Sequence, residues 1–237
     1  MASAADANTG LVAYLCPGRF IDSDHPAVSA YAREHTRGLR SPREIAVALY
    51  YAVRDGFRYD PYRIDKTPHG FTASTCIERG YGFCVTKAAL LAATGRVMGM
   101  PTRVGFADVR NHLTSPRLQA TMRTDVFVYH GYTEFHLDGR WVKATPAFNL
   151  SLCQKASVLP LEFDGHNDSI FHPLDADGRK HMEYLRERGS FVDVPYQEIL
   201  EAWRESYPSL DDWGKATGTA DFEREAGADA SSSKNAD

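Results

Sequence analysis

Cys84 stands where the backbone can change a thiol's chemistry. It lies in the segment GYGFCVTKAALLAATGRVMGMPTR, residues 80–103, behind Gly80 and Gly82, and glycines there let a loop approach closely and take positive φ. The run from Val85 to Met98 is rich in Ala and Leu, strong helix formers. Gly99 and Pro101 then supply a left-handed C′ residue and a stop. Cys84, Ala88, Leu91, Gly95 and Met98 share one stripe of this helix, and its other faces are also apolar, so the spacing predicts a buried helix that opens at Cys84. The unpaired N–H groups and positive dipole end of a first turn favour an anion. The sequence therefore predicts a thiol that ionises below its ordinary pKa of about 8.5, and a first turn able to hold an oxyanion. A cysteine among apolar residues is otherwise an inert core group, so the nucleophile reading depends on a base.

The candidate base is His130, in DVFVYHGYTEFHLDGRWVKATPAFN, residues 125–149. Period-two alternation sets Val126, Val128, His130, Tyr132, Glu134 and His136 on one face of a strand and Phe127, Tyr129, Gly131, Thr133, Phe135 and Leu137 on the other. Asp138-Gly139 is a two-residue hairpin signal leading into Arg140-Trp141-Val142. With Leu137 opposite Arg140, the register sets His130 opposite Ala147, with Thr145 and Asn149 as its diagonal neighbours. Pro146 donates no ladder bond, which makes Thr145 the closer candidate.

The remaining elements must hold this pair. One helix is expected from Pro26 to His35. A second opens at Ser41-Pro42-Arg43-Glu44, which reads as a capping box, and carries the stripe Ile45, Ala48, Leu49, Ala52, Val53. Residues 60–79 read as loop with a helical turn near the end, TRVGFADV after Pro101 as a strand, and NHLTSPRLQAT as loop. Beyond Leu150 the Asp- and His-rich stretch to Asp177 reads as turns and caps, and Asp175-Ala176-Asp177-Gly178 lacks the further acidic positions of a calcium loop. A helix is expected at about Arg179 to Arg188, then an extended SFVDVP, then a helix from Pro195 to Tyr207. The expected organisation is a flexible stretch at residues 1–10, one domain over 11–213 and a disordered tail over 214–237, which lacks aliphatic residues to bury.

Composition excludes several classes. A net charge of -4 offers no basic footprint for nucleic acid or an anionic membrane, and no apolar run approaches the roughly 20 residues of a membrane span. The N-terminus has no basic region followed by an apolar core, so a cytoplasmic protein is expected. Four scattered cysteines and nine histidines without ligand spacing give no disulfide framework and no metal pattern. No cofactor is expected, and the sequence leaves the oligomeric state open.

Residues 80–104 and HGYTEFHLDGRWVKATP, residues 130–146, together with YAVRDGFRYD at 51–60, resemble the transglutaminase-like superfamily, which includes bacterial cysteine proteases. The resemblance covers about half of the chain. It implies an α+β, papain/transglutaminase-like fold in which N-terminal helices and a buried cysteine helix pack on an antiparallel β-sheet that presents the histidine. It also implies acyl transfer or hydrolysis at amide bonds of a peptide or protein, with Cys84 as nucleophile and His130 as base. The sequence departs from the family in one respect. Where the family has Asp-Pro-Thr, this chain has Thr145-Pro146-Ala147, so the acid that orients the histidine is missing. Thr145 could accept a hydrogen bond from the imidazole but not stabilise imidazolium by charge, and Asn149 could serve as an asparagine does in papain-like sites. Loss of the acid should slow the reaction rather than abolish it. Two other readings stay open: a non-catalytic binding or scaffold domain, and a metal-dependent hydrolase built on residues 164–177. Loops 60–79 and 110–124 are expected to shape the substrate pocket.

Overall fold

Two helices, α1 (Pro26–His35) and α2 (Pro42–Gly56), open the core of the computed structural model, which describes residues 10–112, 114–171, 174–175, 177–210 and 221–226. Of the expected stripe, helix α2 buries Ile45, Leu49 and Val53, while Ala48 and Ala52 are half-buried and Ala46 and Tyr50 are buried in addition. Its capping box does not form. Ser41 makes no side-chain cap bond, and the helix starts on Pro42 and the packing of its apolar face. After α2 the chain forms strand β1 (Arg58–Tyr59), helix α3 (Ala73–Arg79) and strand β2 (Tyr81–Gly82), and β1 and β2 pair in parallel with Tyr59 opposite Gly82. Helix α4 (Cys84–Val97) follows immediately.

Every residue of α4 from Cys84 to Arg96 is buried, and Gly99 takes φ 74° just past its end, as the sequence predicts. Each fully buried Leu in such a helix contributes roughly 1.5–3 kcal/mol. The helix lies against a four-stranded antiparallel sheet of β3 (Thr102–Asn111), β4 (Val126–Leu137), β5 (Arg140–Ala144) and β6 (Met182–Phe191), in the order β5-β4-β3-β6. The α+β class expected from the sequence is therefore the observed one. The Thr133 hydroxyl donates to the Ala88 carbonyl at 2.8 Å. Gly131 lies so close that a Cβ there would meet the Val85 Cα at 3.2 Å and the Cys84 carbonyl oxygen at 3.3 Å.

The β4–β5 hairpin has the predicted register, from Leu137 opposite Arg140 to Thr133 opposite Ala144. Asp138 and Gly139 take φ 50° and 80°, as a two-residue primed turn requires. The ladder stops at Ala144, so His130 does not meet Ala147; it lies opposite Ala107 of β3. The alternation along β4 also breaks. Between the pairs Ala107–His130 and Val109–Phe127, β4 takes three steps to two in β3, and Tyr129 adopts φ 57°. This bulge sets Phe127 on the same face as His130, against the period-two expectation.

Three further expectations are corrected. Residues 182–191, expected as helix up to about Arg188, form strand β6, because a charged, largely exposed segment finds ladder partners along the free edge of β3. The expected loop at 110–124 contains helix α5 (Pro116–Met122), capped by the Ser115 hydroxyl, which accepts from the Leu118 N–H at 3.3 Å. Helix α6 (Leu150–Ala156) occupies part of a stretch expected as turns. The predicted C-terminal helix is α7 (Tyr196–Ser206), with Ile199, Leu200 and Trp203 buried.

The expected domain end at residue 213 lies outside the described residues, as do residues 1–9. Residues 221–226, expected as part of a disordered tail, contain a helical turn. Phe222 packs on the rings of Tyr59 and Tyr62, and the Tyr62 hydroxyl donates to Glu225 at 2.7 Å. One aromatic residue anchors a segment that has no aliphatic ones.

Candidate active site

The short β1–β2 ladder delivers the chain to the start of α4, and Asp60 N–H donates to the Gly82 carbonyl at 2.9 Å. Tyr59 is thereby held across from the loop that carries Cys84. From the other side β4 brings His130. Cys84 and His130 both line one cavity, with about 510 Å³ of empty space counting its open mouth. The two residues singled out by sequence therefore share a wall.

Both are buried, and burial sets their proton affinities. It pushes the Cys84 thiol up to about 11, against the pull of the backbone N–H groups of Gly131, Val85 and Cys84 itself. The sequence expectation of an easily ionised thiol is thus corrected: desolvation of the charged form outweighs the helix end. Burial likewise lowers His130 to about 3. Thiol and imidazole both stand neutral near pH 7.

Neither expected orienting residue is hydrogen-bonded to the imidazole. The Thr145 hydroxyl donates to the Ser169 carbonyl at 2.9 Å. The Asn149 carbonyl oxygen accepts from the Tyr59 N–H at 2.9 Å, and its amide donates to Ser151 at 2.7 Å. The cause is the early end of the β5 ladder: Thr145 pairs instead with Ser169, through its N–H as well as its hydroxyl. His130 Nε2 is buried with no hydrogen-bond partner among the described residues, and the Phe171 ring packs edge-on against the imidazole at 4.9 Å. Glu134, on β4, is engaged elsewhere. Its carboxylate pairs with Arg103 at 2.6 Å and accepts from Ser190. Asp164 caps its own turn, and Asp168 accepts from the Lys143 N–H.

The rest of the cavity wall was only partly legible. Pro61, Ile64 and Lys66 come from loop 60–79 and Met122 from the 110–124 region, as expected. Tyr59, Phe83, Phe127, Val128, Trp203, Tyr207 and Leu210 had not been singled out. Tyr59 matters most among them. It is buried, and burial together with the nearby Cys84 holds its phenol protonated well above the ordinary value. A protonated phenol in the same cavity as a thiol is a hydrogen-bond donor to any anion that forms there. Its sequence signal is its place in YAVRDGFRYD, residues 51–60, ahead of the glycine loop. The described residues include no group of three or more His, Cys, Asp and Glu that could hold a metal ion, and all four cysteines are free.

Residues 29–146 match the model of the transglutaminase-like superfamily. Among solved structures, a protein described as a putative cysteine protease from Cytophaga hutchinsonii is similar over 84% of this chain and 53% of its own, with TM-score 0.53 and 14% identity. A protein described as a putative protease from Parabacteroides distasonis is similar over 60% of this chain and 27% of its own, with TM-score 0.40 and 19% identity. The chain thus spans about half the length of the first and a quarter of the second. A search of curated proteins finds no match. Among the described residues no helix is long and apolar enough to cross a membrane.

Proposed function

Because residues 29–146 belong to the transglutaminase-like superfamily, we propose that this protein cleaves amide bonds of peptides or proteins through a thiol ester on Cys84. The observation that carries the reading is the shared cavity wall of Cys84, at the first turn of α4, and His130 on β4. The Cys84 sulfur adds to the amide carbonyl while His130 takes the thiol proton. The proton passes to the leaving amine as the C–N bond breaks. Water then attacks the thioester, with His130 as base again, and releases the carboxylate. Since both groups rest neutral, proton transfer accompanies sulfur attack, and no standing ion pair is needed. The oxyanion is held by the N–H groups of the first turn and the Tyr59 hydroxyl.

Acyl-enzyme trapping tests this reading. A p-nitrophenyl ester should give a burst of one p-nitrophenol per chain and an acyl mass on the peptide containing Cys84. Acylation elsewhere, or none, overturns the proposal. Tyr59→Phe should lower kcat/KM about tenfold to a hundredfold with little change in KM, measured on the same substrates; an unchanged kcat removes Tyr59 from the oxyanion site.

The buried, unpaired Nε2 of His130 favours one second reading, a domain that keeps the architecture for binding alone. In that case Cys84→Ala would leave the protein's biological role intact and the trapping experiment would give no adduct.

A further inference from the structure

The cavity that holds Cys84 and His130 has a wall chemistry of its own. Pro61, Ile64, Phe83, Met122, Phe127, Val128, Trp203 and Leu210 supply most of it. Apart from Cys84, His130 and the Tyr59 hydroxyl, the polar groups of that wall are turned onto the protein's own backbone. Trp203 Nε1 donates to the Val128 carbonyl at 3.0 Å. The Tyr207 hydroxyl accepts from the Val128 N–H at 2.6 Å and reaches the Val126 carbonyl at 3.3 Å. Lys66 Nζ donates to the Leu210 carbonyl at 2.6 Å.

The distribution of exposure gives the cavity a direction. Ile64, Lys66 and Phe127 are half-buried and form its rim, while Phe83, Cys84, Val128, His130 and Trp203 are buried and form its floor. The β4 bulge turns Phe127 to the His130 face, so this rim exists because of an irregular strand.

We infer that this cavity is the acyl-side specificity pocket, and that it selects amides whose acyl portion bears a bulky apolar or aromatic side chain rather than a carboxamide or a charge. The inference rests on the acyl-transfer reading of Cys84 and His130 and adds to it the class of substrate. An aromatic or branched aliphatic group entering from the rim replaces water with rings and methyl groups on all sides. A glutamine carboxamide entering the same space is stripped of water with too few partners to replace it, because Lys66, Trp203 and Tyr207 already serve the backbone and the Tyr59 hydroxyl is assigned to the oxyanion. The reaction balances as hydrolysis: the acyl C–N bond breaks, the S–C bond forms and is cleaved by water, and the products are the apolar carboxylate and the free amine. Lys66 is the one cation lining the cavity among the described residues, which makes an acidic side chain the strongest competitor.

The test is a series of N-acetyl-X p-nitroanilides with X as Phe, Leu, Gly, Gln, Lys or Glu, run beside the corresponding N-acetyl-X aldehydes as reversible ligands of Cys84. Phe and Leu should exceed Gln, Lys and Glu by about tenfold or more in kcat/KM and in aldehyde affinity. Ile64→Glu should lower the Phe value about tenfold or more and improve Lys relative to Phe. Turnover or affinity that ranks Gln or Lys first overturns the pocket assignment and leaves the Cys84 chemistry standing. Glu ranked first, with that rank lost in Lys66→Met, assigns the pocket to acidic side chains and overturns it equally. Absence of both turnover and aldehyde binding, together with no acyl adduct on Cys84, overturns the acyl-transfer reading and this inference with it.

Discussion

Cys84→Ala is expected to abolish amide cleavage, and His130→Ala to lower kcat/KM about 10²- to 10⁴-fold, with activity in the unaltered protein staying level from pH 8 down to about pH 4. The last clause is the discriminating one. An ordinary catalytic imidazole loses its function as base when it protonates near pH 6.5. His130 is held to about 3 by burial, so it remains an unprotonated base over the whole range above. The same burial keeps Cys84 as a thiol up to about pH 11. Iodoacetamide should therefore modify Cys84 slowly at neutral pH in the folded chain and faster as pH approaches 11, while the urea-unfolded chain reacts with an ordinary midpoint near about 8.5. A midpoint below pH 7 in the folded protein, or an activity limb near 6.5, would sink the neutral-pair mechanism. A base of such low affinity has little driving force for proton removal, and among the described residues no carboxylate is hydrogen-bonded to its Nε2.

Between pH 7 and 8.5 the unaltered chain is expected to gain about 1–2 kcal/mol of stability relative to Lys87→Met. Lys87 lies one turn after Cys84 in α4 and is fully buried. Its ammonium donates to the Arg54 and Phe57 carbonyls at 2.8 and 2.7 Å, groups that the end of α2 would otherwise leave unpaired. Burial lowers its pKa from 10.5 to about 7, against the opposing pull of Cys76, Asp55 and Cys153. Because the folded value lies below the unfolded one, the unfolded chain holds more protons between them. Raising pH across that interval therefore favours the folded state, by up to about 1.4 kcal/mol per pH unit. The cysteines oppose this within the same interval: Cys76, Cys84 and Cys153, all pushed up by burial, stay protonated in the folded chain while the unfolded thiols ionise toward about 8.5. They are common to both chains, so the difference between the chains isolates Lys87. Urea midpoints of both chains at the two pH values measure the effect; a difference between the chains that does not change with pH shows that Lys87 carries no depressed pKa.

What could be read from the sequence was what depends on short-range rules. The cysteine helix declares its start, stripe and stop within residues 80–103, and Asp138-Gly139 fixes the hairpin register down to Ala144. The failures came where tertiary context decides. Residues 182–188 carry helix-forming charges yet pair with β3, because an exposed edge needs a strand more than the segment needs a helix. Ser115-Pro116 was a helix start of the kind recognised at Ser41-Pro42, and it is the one of the two whose serine makes the cap bond. Within the site, Cys84 and His130 were legible as residue types at a spacing. Thr145 and Asn149 followed from extending a regular ladder past Pro146, where pairing passes to Ser169. The thiol's proton affinity depends on how much water reaches it, and helix periodicity carries no measure of that.

The one-residue excess at Tyr129 divides β4 into two stretches that are out of phase. Residues 131–135 are registered to the cysteine helix and fix where the imidazole stands; residues 126–128 are registered to Trp203 and Tyr207 and form the vestibule. On the proposed reading, placement of the imidazole falls to one stretch of this strand and choice of what enters to the other, so substitutions ahead of the kink are expected to change selectivity more than turnover.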